Sequence, residues 1–139
     1  MKAHVAILLM LGAALSVEAA PLKLLCKGAI AMAFDAKEIT DQARIDVELD
    51  PAAGWISFKG WAVNAERIPA TTTPGTMMTF THTAPGPGVV STTKGRMDLA
   101  MRRIYLDTTF SSSEGPGKRW TTDWGMQVTT LRVTGDVPC

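Results

Sequence analysis

Histidine is nearly missing from this chain. Two are present, His4 and His82, and His4 sits inside a hydrophobic amino-terminal run. Cysteine is as scarce, with Cys26 and Cys139 alone. Two cysteines and one remaining histidine cannot complete a Cys/His zinc site, and no Cys-x-x-Cys pair offers thiol-redox chemistry. The Gly-x-Ser-x-Gly motif is missing, and Ser57, Ser91 and Ser111 to Ser113 have no histidine near them in sequence. Gly86, Gly88, Gly115 and Gly117 come with prolines and precede no helical pattern, so they do not read as a phosphate-cradling loop. With no nucleophile, base and orienter to name, a non-enzyme that takes no cofactor is the first reading, and a small hydrolytic enzyme stands behind it.

Charge is sparse too. Charged residues make up 19% and the net charge is +1. It stays at +1 if Lys2 and Glu18 leave with the amino-terminal segment. A balance so near neutral argues against a protein built to grip nucleic acid or an acidic membrane surface. Long apolar runs are likewise wanting. Val5 to Leu15 would rise only about 16 Å as a helix, short of a hydrocarbon core of roughly 30 Å. Behind Lys2 and ahead of Ser16-Val17-Glu18-Ala19-Ala20, that run reads as an export signal cut after Ala19. The expected organisation is a signal over residues 1–19 and one all-β domain over 20–139, periplasmic or secreted. Lys23-Leu24-Leu25 ahead of Cys26 lacks the small residues of a lipid-attachment site.

Export makes a disulfide the expected state of Cys26 and Cys139. It would close a loop of about 110 residues, which the chain-entropy model values at about 4.7 kcal/mol. A free thiol or a bridge between chains is the alternative.

What is abundant is threonine: 17, against six serines and one asparagine. Its branched Cβ favours strands over helices. Strand periodicity follows at once. Leu22, Leu24, Cys26, Gly28, Ile30, Met32 and Phe34 share one face of an extended segment. In Ala43 to Asp50, Ile45, Val47 and Leu49 alternate with Arg44, Asp46, Glu48 and Asp50. Pro51 to Gly54 is a turn. Trp55 to Val63 reads as a strand whose apolar parity shifts at Gly60, the mark of a bulge or bend. Pro69 to Gly75 reads as a loop, Thr76 to Thr83 as a strand with Met78, Phe80 and His82 on one face, and Val89 to Thr93 as a short strand. Arg96 to Thr108 fits either a helix or two strands with a turn near Ala100 to Arg103, and the surrounding strands favour the second. Trp120 to Val133 looks extended. Seven or eight short strands in one domain imply an all-β antiparallel sandwich or a small closed barrel.

The candidate binding residues are Trp55, Trp61, Trp120 and Trp124, four indoles in a domain with one tyrosine and four phenylalanines. On a sheet face or barrel mouth such rings stack on a sugar or an apolar ligand; the alternative is that they plug the ends of a small core. Asp46, Glu48 and Asp50 could offer oxygens to Ca²⁺, but acids alternating on a wet strand face are commoner, offset by Lys or Arg on the next strand. His82 reads as a half-buried histidine rather than a base.

At Leu24-Leu25-Cys26-Lys27-Gly28 and Gly95-Arg96-Met97-Asp98-Leu99 the chain resembles small exported bacterial all-β proteins of uncharacterised function. These open with a Leu-x-Cys-x-Gly strand, carry a Gly-x-Ile-Asp-like strand and end near a second cysteine. Met97 stands where their pattern has isoleucine. The resemblance implies an exported domain and supplies no catalytic residue. The chain is also similar to periplasmic lysozyme inhibitors, small disulfide-linked barrels, although Tyr105 lacks the Ser-Gly-x-x-Tyr context of their inhibitory loop. Three functions follow as expectations, in this order: a non-enzymatic binding module of unknown ligand, an inhibitor of a hydrolase such as lysozyme acting through Ala84 to Gly88 or Ser111 to Gly117, and a small hydrolytic enzyme.

Overall fold

Alternation of side chains builds nearly every element. The computed structural model describes residues 20–73 and 76–139. The expected signal, residues 1–19, lies outside the described residues, as do Pro74 and Gly75. The first strand, β1 (Leu22–Phe34), buries Cys26, Met32 and Phe34 on one parity. A two-residue turn at Asp35-Ala36 returns the chain into β2 (Lys37–Asp50), which pairs with β1 along its whole length. β3 (Trp55–Lys59) pairs with the second half of β2, and β4 (Ala65–Pro69) pairs with β3. β5 (Thr71–Thr73), β6 (Met77–Pro85), β7 (Val89–Asp98) and β8 (Arg103–Ser112) follow as antiparallel neighbours. β9 (Trp120–Thr121) and β10 (Gln127–Val128) form a separate two-stranded ribbon, and β11 (Thr130–Pro138) inserts between β1 and β8.

The main sheet therefore runs β4-β3-β2-β1-β11-β8-β7-β6-β5. β4 and β5 stand at its two edges, yet only Ala70 separates them in the chain. One continuous segment thus pairs with β3 through Ala65–Pro69 and with β6 through Thr71–Thr73. Bent at Ala70, whose N–H donates to the Gly54 carbonyl at 2.9 Å, it draws the two edges together. The sheet is nearly closed into a barrel, and little edge remains for another chain to extend.

The interior is filled. Phe58, Ile45, Leu49, Ile56, Met78, Met97, Ile104 and Leu106 are fully buried. At about 25 cal/mol per Å² of apolar surface, each such side chain adds roughly 1.5–3 kcal/mol. Gly95 is required here, because a Cβ would collide with the Phe80 ring that lies over it. Toward the other end the inward positions turn polar: Ser91, Thr93, Thr108 and Ser112 are buried. Thr93 and Thr108 stand directly opposite each other with 2.6 Å between hydroxyls. Among the described residues no buried side-chain nitrogen or oxygen lacks a hydrogen-bond partner.

Cys26 and Cys139 are bridged. The β1–β11 register that places Ile30 opposite Gly135 brings Gly28 beside Val137 and Cys26 beside Cys139 when continued. The bridge is compatible with an extracellular or periplasmic location.

Several boundaries differ from the sequence reading. The main sheet has nine strands rather than seven or eight. Thr71–Thr73, read as loop, is a strand because it pairs with β6. β7 runs on to Asp98 instead of stopping at Thr93. The strand begun at Trp55 ends at Lys59, because Gly60 takes φ 91° and leaves the sheet. Trp120 to Val133 is a turned ribbon followed by β11, not one extended run. Arg96 to Thr108 is two strands, as preferred. The Asp98 carboxylate accepts the N–H groups of Ala100 and Met101, both at 3.0 Å, and so caps the turn.

Candidate functional site

The Phe34 end of the barrel gathers most of the aromatic rings. Across β1, β11, β8, β7 and β6 the register there reads Phe34, Leu131, Phe110, Ser91 and Ala84. Below this row lies Trp61. Leaving β3 through Gly60 turns its indole inward, where it is 7% exposed. Its Nε1–H donates to the Thr108 hydroxyl at 2.7 Å, and its ring lies on Gly135, where a Cβ would come within 3.2 Å. Trp61 thus forms a floor between the filled core and the barrel mouth.

The walls come from the ribbon. Trp120, half-buried, packs on Phe110 with 6.3 Å between ring centres, and its Nε1–H donates to the Thr129 carbonyl at 3.3 Å. Trp124, in the turn between β9 and β10, is 65% exposed. It packs perpendicular to the Phe34 ring, with 5.7 Å between ring centres, which holds the indole in place. A cleft of about 280 Å³ lies between Trp124 and the β6–β7 loop, lined by Pro87, Gly88, Phe110, Trp120, Thr121 and Asp123 among others. A second, also about 280 Å³, opens on the Trp61 side over Ile30, Met32, Val133, Asp41 and Arg44. Phe110, Trp124 and Leu131 line both.

One carboxylate ties the rim together. Asp35, in the β1–β2 turn at φ 51°, accepts the N–H groups of Thr129 and Thr130 at 3.0 Å and the Thr129 hydroxyl at 2.7 Å. The Thr129 hydroxyl first, and then these backbone donors, hold its carboxyl below the usual carboxylate range. The contact pins the junction between ribbon and β11 to the tip of the β1–β2 hairpin. The loops after β6 and β8 meet at the same end, where the Ser113 N–H donates to the Gly88 carbonyl at 3.1 Å.

Of the four tryptophans singled out by sequence, Trp61, Trp120 and Trp124 come together at this rim. Trp55 does not. It is half-buried at the start of β3, opposite Asp50 and Pro69, with the Arg67 guanidinium 4.6 Å from its ring centre. The other candidates also have settled surroundings. Asp46 stands across from Lys59 and Glu48 from Lys23, so the acid strip is offset by lysines on both neighbouring strands. Among the described residues no three His, Cys, Asp or Glu side chains gather as a metal would need. His82 is half-buried and stands opposite Thr93. Sequence reasoning passes over Phe110 and Asp35, and places Phe34 on the apolar face of the first strand without assigning it to a site. The parity of Leu106, Thr108 and Phe110 would have placed Phe110 inside, whereas the role of Asp35 depends on a partner 94 residues away.

An exposed indole between two clefts, apolar below and hydroxyl- and carboxylate-bearing above, can hold a ligand that has both an apolar face and polar edges. No protein-family model, curated protein or solved structure matches this chain.

Proposed function

We propose that the chain is an exported, non-enzymatic binding module whose ligand site is the rim formed by Trp61, Trp120 and Trp124. The observation that carries this reading is Trp124, 65% exposed yet held against Phe34 between two clefts. Leaving so much indole in water forgoes burial that the same ring would gain in a core, and a ligand recovers it. The filled interior beneath Trp61 supports a ligand lying across the mouth rather than one swallowed by the barrel. Titration of intrinsic tryptophan emission against glycans and fatty acids tests the reading. A saturable shift is expected with at least one class, and unchanged emission throughout overturns it.

A second reading, inhibition of a hydrolase, draws support from the two loops that meet through Ser113 and Gly88 to form one ridge beside the clefts. Retention of the protein on immobilised lysozyme, lost when Pro87 and Gly88 are replaced, is the outcome it requires.

A further inference from the structure

We infer that the rim takes a neutral oligosaccharide of at least two rings, bound across the two clefts that Trp124 lines; this rests on the reading of the rim as a ligand site. The first ground is the pairing of surfaces. A pyranose ring has a C–H face that stacks on an indole and an edge of hydroxyls that both donate and accept. The rim offers that combination on each side of Trp124. Asp123 and the Thr121 hydroxyl border one cleft, and Asp41 and Arg44 the other, over the shared apolar floor of Phe110 and Leu131.

The second ground is the shape. A fatty acyl chain needs an enclosed apolar channel. Here Trp61 blocks the way down, held by Thr108 and seated on Gly135, and Phe58, Met78 and Leu106 fill the space beneath. The third ground is the continuity of the clefts. Each measures about 280 Å³, near the lower limit for a ligand pocket. Because Trp124 stands between them and lines both, a chain of linked rings occupies the two at once and gains from both. A single ring occupies only one. The charge of the ligand follows from the lining: Asp123 is the only charged residue of one cleft and Arg44 offsets Asp41 in the other, so neither offers a net positive charge to a uronate or a sulfated sugar.

The test uses the disulfide-bonded protein and follows the four indole N–H signals by NMR. The probes are neutral gluco-oligosaccharides and N-acetylglucosamine oligosaccharides from monomer to hexamer, a polyuronate, palmitate, and anilinonaphthalene sulfonate. The expected result is that one neutral series shifts the Trp124 signal while leaving Trp55 in place. Affinity should rise about fivefold or more between monomer and trimer, since a second stacked ring adds about 1 kcal/mol or more. Trp124→Ala should lower oligomer affinity about fivefold or more by the same stacking contribution. Trp55→Ala should leave it unchanged, and circular dichroism checks that both variants fold. Equal affinity for monomer and oligomers overturns the two-ring site. Preference for the polyuronate overturns the neutral ligand. If palmitate or the naphthalene dye shifts Trp124 and no saccharide does, the saccharide inference falls while the rim remains a ligand site. If nothing shifts Trp124, both fall.

Discussion

Asp35 and Thr108 each hold one side of the rim, and each does so through hydrogen bonds that a single substitution removes. The Asp35 carboxylate is lowered in pKa by its bonds to Thr129 and Thr130. A carboxylate depressed by folding contributes stability above its unfolded pKa, and the contribution is lost as pH falls through the folded one. The rim should therefore loosen below about pH 4, read as a change in Trp120 and Trp124 emission. In Asp35→Asn that acid-dependent step disappears and the emission is altered at every pH. Asp107 is also lowered, chiefly by its paired bonds from Arg132 at 3.0 and 2.7 Å, but it lies on the outer wall and leaves the rim signal alone. Thr108 differs in being fully buried. It accepts the Trp61 N–H and pairs with the Thr93 hydroxyl. Thr108→Val strands both partners and should lower stability by about 1–3 kcal/mol in chemical denaturation. Thr108→Ser, which keeps the oxygen, should restore most of it.

Whether an element could be read from sequence depended on whether its inward positions kept the period of two. β1 and β2 keep it over their buried parts, and their faces were plain from residue order alone. So was the bend at Gly60, because Ile56 and Phe58 point in before it and Trp61 points in after it. The same parity sends Trp55 outward and parts it from the other three indoles. β4 could not be read in this way. Its two buried residues, Ala65 and Ile68, are three apart, because Arg67 adopts φ 46° beside a register shift in β3. β5 could not be read either, since all three of its threonines are exposed and only pairing with β6 makes it a strand. The meeting of Trp61 with Trp120 and Trp124 depends on barrel closure, which is a tertiary event that no local pattern encodes. Gly60 gives this scale its prediction. At φ 91° its missing Cβ leaves room for the Arg44 carbonyl oxygen. Gly60→Ala should cost more than about 1 kcal/mol, because it adds a collision to a conformation that L-residues already disfavour. Gly125 has φ 79° with open space where a Cβ would stand. Gly125→Ala should cost less, and the difference between the two isolates the collision. Red-shifted Trp61 emission in Gly60→Ala alone would show that the floor of the mouth has been released.

At the scale of the whole molecule, the covalent staple and the aromatic rim occupy opposite ends of the barrel. Cys26 is fully buried near the start of β1, and the N–H of Cys139 donates to the Arg102 carbonyl in the β7–β8 turn at 2.8 Å. The rim lies where β1 ends. The two cysteines are 113 residues apart in sequence. A cross-link over a loop of that order restricts the unfolded chain far more than it adds contacts to the folded one, at about 4.7 kcal/mol in the chain-entropy model. That is a large share of the roughly 5–15 kcal/mol by which small domains are stable. Replacing both cysteines by alanine should therefore lower the denaturation midpoint. It should also steepen the transition, because the unlinked chain exposes more surface when it unfolds. Ligand affinity below the transition should not change, since no rim residue touches the bridge and the folded register still aligns β1 with β11. An unaltered midpoint would mean that β1–β11 pairing alone closes the wall. Weakened binding at a temperature where the variant is folded would mean that the two ends of the barrel are mechanically coupled, with the filled core between Cys26 and Trp61 transmitting the strain.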